Sequence, residues 1–237
     1  QVSTYALLQE KRDDAEETAA GAVRLNRKNL ELGESTSGAQ TVGLRFRHVD
    51  VPHGATIVNA YIQFYAAKAQ SGPAAFTFRG EATDDAASFD PGNGNLSGRP
   101  KTAAAVTWND VPAWDMVGQA QWSPNLASVV QEIVGRGGWQ AGNNLALFVT
   151  GQGTRTARAY DGDPNAAPCL TIEYIDANGQ TVRVSVAAGT MPAASSTVSL
   201  SLLTAGRGMT NFDADATEDS ESAAAATSIY LPLLSTR

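Results

Sequence analysis

The sequence predicts an all-β protein: a jelly-roll β-sandwich with one short helix and a β-rich C-terminal extension. Three observations carry this. Apolar residues alternate with polar ones over several short runs, the signature of strands with one buried face. Gly, Pro and Asn punctuate those runs as turns. Only one segment shows the 3.6-residue apolar spacing of a helix.

The first clear strand is Thr41 to Val49, with Val42, Leu44, Phe46 and His48 assigned to one face. Pro52 and Gly54 mark a turn, and Ile57 to Tyr65 alternates again. Phe76 to Ala82 is a third strand, and Val106–Trp108 a short one. Ser123 is placed to cap a helix, Pro124 to open it, and the apolar stripe Leu126, Val129, Val130, Ile133, Val134 to carry it to 134. The helix is therefore expected over about 124–134, stopped by Gly135, Gly137 and Gly138. Asn144 to Gly151, Arg155 to Tyr160 and Cys169 to Tyr174 complete the strands of the sandwich.

The sandwich is expected to span 1–175 and the extension 176–237. Asn178-Gly179 signals a hairpin between Leu170–Ile175 and Val182–Val186. A Ser/Thr strand follows at Thr197–Leu203, then a Gly-, Ala-, Ser- and acid-rich linker over 205–227 and an apolar terminal strand over 228–234.

Composition narrows the function. The 237 residues include 17 basic and 24 acidic side chains, a net charge of −7. That balance, with no basic patch, argues against nucleic acid as a partner. No apolar run approaches the roughly 18 residues needed to span a bilayer. The single Cys169 excludes an intrachain disulfide framework and a multi-cysteine metal site. A chain that begins at Gln1 rather than Met is either truncated or has lost a segment, and the expected reading is a mature secreted protein after signal-peptide removal.

A set of ordered pieces also carries a family likeness. They are Asp13-Asp14-Ala15-Glu16-Glu17, Asn29-Leu30-Glu31-Leu32, Thr41-Val42-Gly43-Leu44-Arg45-Phe46 and Pro52-His53-Gly54-Ala55-Thr56-Ile57. They continue with Ala60-Tyr61-Ile62-Gln63-Phe64, Val106-Thr107-Trp108 and Val130-Gln131-Glu132-Ile133-Val134. The last are Gly137-Gly138-Trp139, Tyr160-Asp161-Gly162 and Ala167-Pro168. Through them residues 3–174 resemble the disaggregatase-related (DNRLRE) and carbohydrate-binding jelly-roll modules of bacterial extracellular proteins. The resemblance implies a jelly-roll fold, an extracellular or cell-surface setting and an accessory role. It does not hand over an activity.

Candidate sites follow from residue chemistry. Asp13, Asp14, Glu16 and Glu17 offer hard oxygen ligands at close spacing, as Ca²⁺ requires; the competing reading is a solvated charged turn beside Lys11 and Arg12. Jelly-roll modules of the kind resembled often hold a structural calcium. Their first and last strands tend to lie together, which would bring Asp161 and Asp163 near Asp13. Trp108, Trp114, Trp122 and Trp139 cluster around the helix, and Trp114 and Trp122 are the candidates for stacking on a sugar ring. The competing reading is burial, the usual fate of Trp. Asp84 and Asp85 form a second acidic pair, a weak basis for glycoside hydrolysis. His48 is expected to pack inward and His53 to lie in an exposed turn, so the two are not expected to share a metal. Cys169 reads as a core residue, and Asn95-Leu96-Ser97 is a formal glycosylation sequon.

The terminal strand suggests an assembly role. Ile229, Tyr230, Leu231, Leu233 and Leu234 form an isolated apolar strand, which needs a sheet edge, in its own domain or a neighbour's, to satisfy its backbone. Donation to another copy, repeated head to tail, gives an open fibre. The N-terminal strand Val2–Leu8 is placed to serve in the same way. The leading expectation is thus a non-enzymatic extracellular subunit of a surface fibre, a homopolymer joined by exchanged terminal strands. The alternative is a secreted carbohydrate-binding module, binding glycans and holding a structural calcium.

Overall fold

A computed structural model describes residues 2–7, 12–176 and 178–182. In chain order the first strands are β1 (Val2–Leu7), β2 (Asp14–Thr18), β3 (Val23–Arg24), β4 (Asn29–Ser35) and β5 (Gly38–Phe46). Next come β6 (Thr56–Tyr65), β7 (Ala75–Glu81), β8 (Lys101–Trp108) and β9 (Ala120–Trp122). Helix α1 (Ala127–Val134) precedes β10 (Leu145–Gln152), β11 (Thr154–Arg158), a 3₁₀ turn (Pro164–Ala166), β12 (Cys169–Ile175) and β13 (Thr181–Val182).

These strands form two antiparallel sheets, and the chain is an all-β sandwich with one short helix. The smaller sheet runs β1-β12-β6-β9, with β13 added to β12. The larger runs β11-β4-β5-β10-β7-β8, with β2 on β5 and β3 on β2. The alternation read in the sequence sets their inner faces. Val42, Leu44, Phe46, Phe76 and Phe78 of the larger sheet meet Ala60, Ile62, Phe64, Leu170 and Ile172 of the smaller in one buried cluster. Helix α1 touches β6 of one sheet and β7 and β8 of the other, so it closes an open side of the sandwich. It buries Val129, Val130, Ile133 and Val134. Gly80 makes room for it, since a Cβ there would stand 2.5 Å from Ile133 Cδ1.

A second, smaller core covers the outer face of the larger sheet. Phe89 and Leu96, from the long segment between β7 and β8, pack on Ala15, Ala146 and Phe148. Gly43 permits this approach: a Cβ on it would lie 2.8 Å from the Phe89 ring. Arg99 holds the segment in shape, donating to the Ala87, Ser88 and Asn95 carbonyls and to Glu81 Oε2.

Several sequence expectations need correction. The helix starts at Ala127, not Pro124. Ser123 and Leu126 stay laced to β6: the Ser123 and Leu126 amides donate to the Ile62 and Ala60 carbonyls. Ser123 Oγ accepts the Ile62 amide instead of capping, and Asn125 Oδ1 takes the Ala127 amide. His48 lies beyond the end of β5, exposed, with φ +51°, so the strand's alternation does not reach it. Val106–Trp108 is the end of an eight-residue strand.

The hairpin at Asn178-Gly179 forms, with Thr181 and Val182 paired to Ile175 and Tyr174. The expected strand Thr197–Leu203, the acidic linker and the terminal strand carrying Ile229, Tyr230, Leu231, Leu233 and Leu234 lie outside the described residues. No helix among the described residues is long and apolar enough to cross a membrane.

Candidate functional site

The smaller sheet presents its second face away from the core, and its strands place a mixed aromatic and polar set there. Ala60, Ile62 and Phe64 of β6 point inward, so Asn59, Tyr61, Gln63 and Tyr65 take the outer face. Residues directly opposite in a ladder share a face. In β9, Gln121 pairs with Phe64 and is buried, whereas Trp122 pairs with Gln63 and faces out. Trp122 is 50% exposed, and Met116, at 65%, and Val117 protrude from the loop just before β9. On the other side of β6, Cys169, Thr171 and Glu173 of β12 stand opposite Gln63, Tyr61 and Asn59.

Hydrogen bonds fix these polar groups. Asn59 Nδ2 donates to Glu173 Oε2 at 2.7 Å. This orients the Asn59 amide so that its Oδ1 accepts from Tyr61 Oη at 3.1 Å and from Asn125 Nδ2 at 2.9 Å. Gln63 Nε2 donates to Tyr65 Oη at 3.2 Å. The result is a row of tyrosines and amides along β6 with an indole beside it. Cys169 is buried, and that burial pushes its thiol up to about 11, so it is held as an unreactive thiol.

The other residues singled out in the sequence are distributed elsewhere. Trp114 is fully buried beneath Phe64, ring centroids 6.4 Å apart, which removes it as a stacking surface. Its backbone bridges to Gln70, turning the side chain into the core. Trp139 is also buried and donates from Nε1 to the Val51 carbonyl at 2.8 Å.

The acidic cluster is not a solvated turn. Asp13, Asp14, Glu16 and Glu17 are all buried, in and beside β2. Each carboxylate meets a protein donor. Asp13 Oδ1 accepts Arg45 Nη1, and Asp14 Oδ2 the Tyr160 amide. Glu16 Oε1 accepts the Glu31 amide, and Glu17 Oε2 the Leu96 and Ser97 amides. Asp161 does come close to this cluster, near enough to raise the Asp14 pKa electrostatically. Asp163 Oδ1 instead accepts the Asn165 amide at the start of the 3₁₀ turn. Among the described residues no group of three or more His, Cys, Asp or Glu side chains stands in a metal-holding arrangement.

Asp84 and Asp85 are tied to the scaffold. Asp84 Oδ1 pairs with Arg136 Nε at 2.7 Å, and Asp85 Oδ1 accepts from the Asn144 amide and side chain. Asn95 of the sequon spends its side-chain nitrogen on Asp90 Oδ2 at 2.8 Å. A cavity of about 270 Å³ on the larger sheet is lined by Glu17, Thr18, Gln40, Ser97 and Thr150 among others, with no aromatic ring.

Sequence reasoning picked out Trp122 but passed over its neighbours Asn59, Tyr61, Gln63, Tyr65, Asn125 and Glu173. The available signal was the polar half of the β6 alternation, two tyrosines and a glutamine at every second position. No protein-family model matches the chain, and no curated protein matches it.

Proposed function

We propose that this chain is an extracellular, non-catalytic carbohydrate-binding module whose ligand lies on the outer face of β6 and β9. The observation that carries the reading is Trp122, half exposed and directly across the ladder from Gln63. A flat indole face suits the C–H face of a pyranose, and the amides and phenols beside it suit its hydroxyls. The strand order β1-β12-β6-β9 set against β5-β10-β7-β8 favours a jelly roll, the fold of the carbohydrate-binding modules that the sequence resembles.

The test is affinity electrophoresis of the wild type and of Trp122→Ala in gels containing soluble polysaccharides, with circular dichroism to check the fold. Retardation of the wild type, lost in a folded Trp122→Ala, is expected. A wild type retarded by no polysaccharide, or a variant retarded equally, overturns the reading.

A second reading, strand-exchanged assembly into a homopolymer, is favoured by the place of β1. It is an edge strand, paired antiparallel with β12 from Val2↔Tyr174 to Leu7↔Cys169. Exchanging it between copies preserves every one of those pairs. Negative-stain microscopy with and without residues 228–237, and with and without residues 1–8, tests this reading; monodisperse particles throughout reject it.

A further inference from the structure

We infer that the ligand of this face is a neutral, hydroxyl-rich polysaccharide rather than an anionic one such as a uronate or sulfated chain; this rests on the carbohydrate-binding reading above. Two independent features point there. The first is charge. The strands β6 and β9 carry no Asp, Glu, Lys or Arg. Recognition of a carboxylate or sulfate relies on Arg or Lys, which supply charge-assisted donors. These two strands supply none, and the chain's net charge of −7 repels an anion.

The second feature is hydrogen-bond polarity. Tyr61 spends its hydroxyl proton on Asn59 Oδ1, which leaves the Tyr61 oxygen as an acceptor toward a ligand. Tyr65 Oη accepts from Gln63 Nε2, which leaves the Tyr65 proton to donate. The two phenols lie four residues apart on one strand, about 13 Å along the chain direction. Tyr61 thus offers an acceptor and Tyr65 a donor. A sugar hydroxyl is both donor and acceptor and satisfies each position. A sulfate or ionised carboxylate only accepts, and would leave the Tyr61 oxygen facing another acceptor.

The experiment uses the full chain in native gels containing hydroxyethylcellulose, galactomannan or xyloglucan as neutral probes, and polygalacturonate or dextran sulfate as anionic probes. Each is run at low and high salt, with Trp122→Ala alongside. The expected result is retardation by at least one neutral polysaccharide, insensitive to salt, and weakened at least tenfold in Trp122→Ala. Retardation by a polyanion that is lost at high salt and in Trp122→Ala overturns the neutral-ligand inference while leaving the carbohydrate-binding reading standing. Retardation by neither class overturns that reading itself, and this inference falls with it.

Discussion

Asp14 and Tyr160, near opposite ends of the described chain, are joined by a hydrogen bond: Asp14 Oδ2 accepts the Tyr160 amide at 2.7 Å. The bond ties β2 to the turn after β11, and it sits where water is scarce. Burial of Asp14 raises its pKa from 3.8 to about 7; the Tyr160 amide opposes the rise, while Asp161, Asp13 and Glu16 add to it. An acid whose folded pKa is raised holds a proton that the unfolded chain releases. Between roughly pH 4 and pH 7 the folded state therefore binds more protons, and stability falls as pH rises through that window, levelling above it. The span corresponds to roughly 4 kcal/mol at most. Asp14→Asn keeps an oxygen for the Tyr160 amide and carries no charge. It should shrink the decline, leaving the part that the raised pKa of buried Glu16 supplies, and leave the variant more stable than the wild type at about pH 8, as measured by urea unfolding at several pH values. A variant that declines as steeply as the wild type would show that Asp14 is not the titrating group.

Arg155 predicts a large structural cost. It is 1% exposed and donates to four main-chain carbonyls, those of Gly72, Val111, Pro112 and Thr154, at 2.9–3.0 Å. It staples the loop before β7 and the loop after β8 to the start of β11. Arg155→Met removes every donor from a buried group of acceptors and should cost about 3 kcal/mol or more in denaturant unfolding. Arg155→Lys should recover only part of this, because a single ammonium cannot reproduce the planar fork. A loss below about 1 kcal/mol in Arg155→Met would mean that water replaces the guanidinium without penalty.

These two residues also mark what the sequence makes legible. Strands whose alternation is apolar against polar, such as Val42-Leu44-Phe46 and Ala60-Ile62-Phe64, can be read directly, because burial and hydropathy agree. The β2 segment cannot. Its four carboxylates look solvent-facing, yet they are buried because Arg45 and the amides of Tyr160, Glu31, Leu96 and Ser97 reach them from distant parts of the chain. No local pattern announces such partners. The same holds for the tryptophans: Trp114 and Trp122 stand eight residues apart in similar surroundings, and only the β6–β9 register decides that one faces out.

Arg99 predicts a local effect. Besides its hydrogen bonds to Glu81, Ala87, Ser88 and Asn95, its guanidinium lies 4.7 Å from the centroid of Phe89. Arg99→Ala should loosen the segment from Asp84 to Pro100 while the main core persists. Hydrogen exchange should rise across that segment and little in β6 or β12, with a global cost of about 1–3 kcal/mol. Uniform acceleration throughout the sandwich would instead make the segment part of the main cooperative unit.

Trp139 and Trp114 offer a paired test that separates core from ligand face. Both are buried, but Trp139 Nε1 donates to the Val51 carbonyl, whereas Trp114 Nε1 has no hydrogen-bond partner among the described residues. Trp→Phe at either site removes ring volume. At 139 it also strands a buried carbonyl; at 114 it removes a buried donor that gains nothing from folding. Trp139→Phe should therefore destabilise by about 2 kcal/mol more than Trp114→Phe in thermal or urea unfolding. Neither substitution touches the outer face of β6, so both variants, once folded, should bind polysaccharide as the wild type does, in contrast to Trp122→Ala. Loss of polysaccharide retardation in a fully folded Trp114→Phe would place the ligand against the inner aromatic layer and reject the outer face as the site.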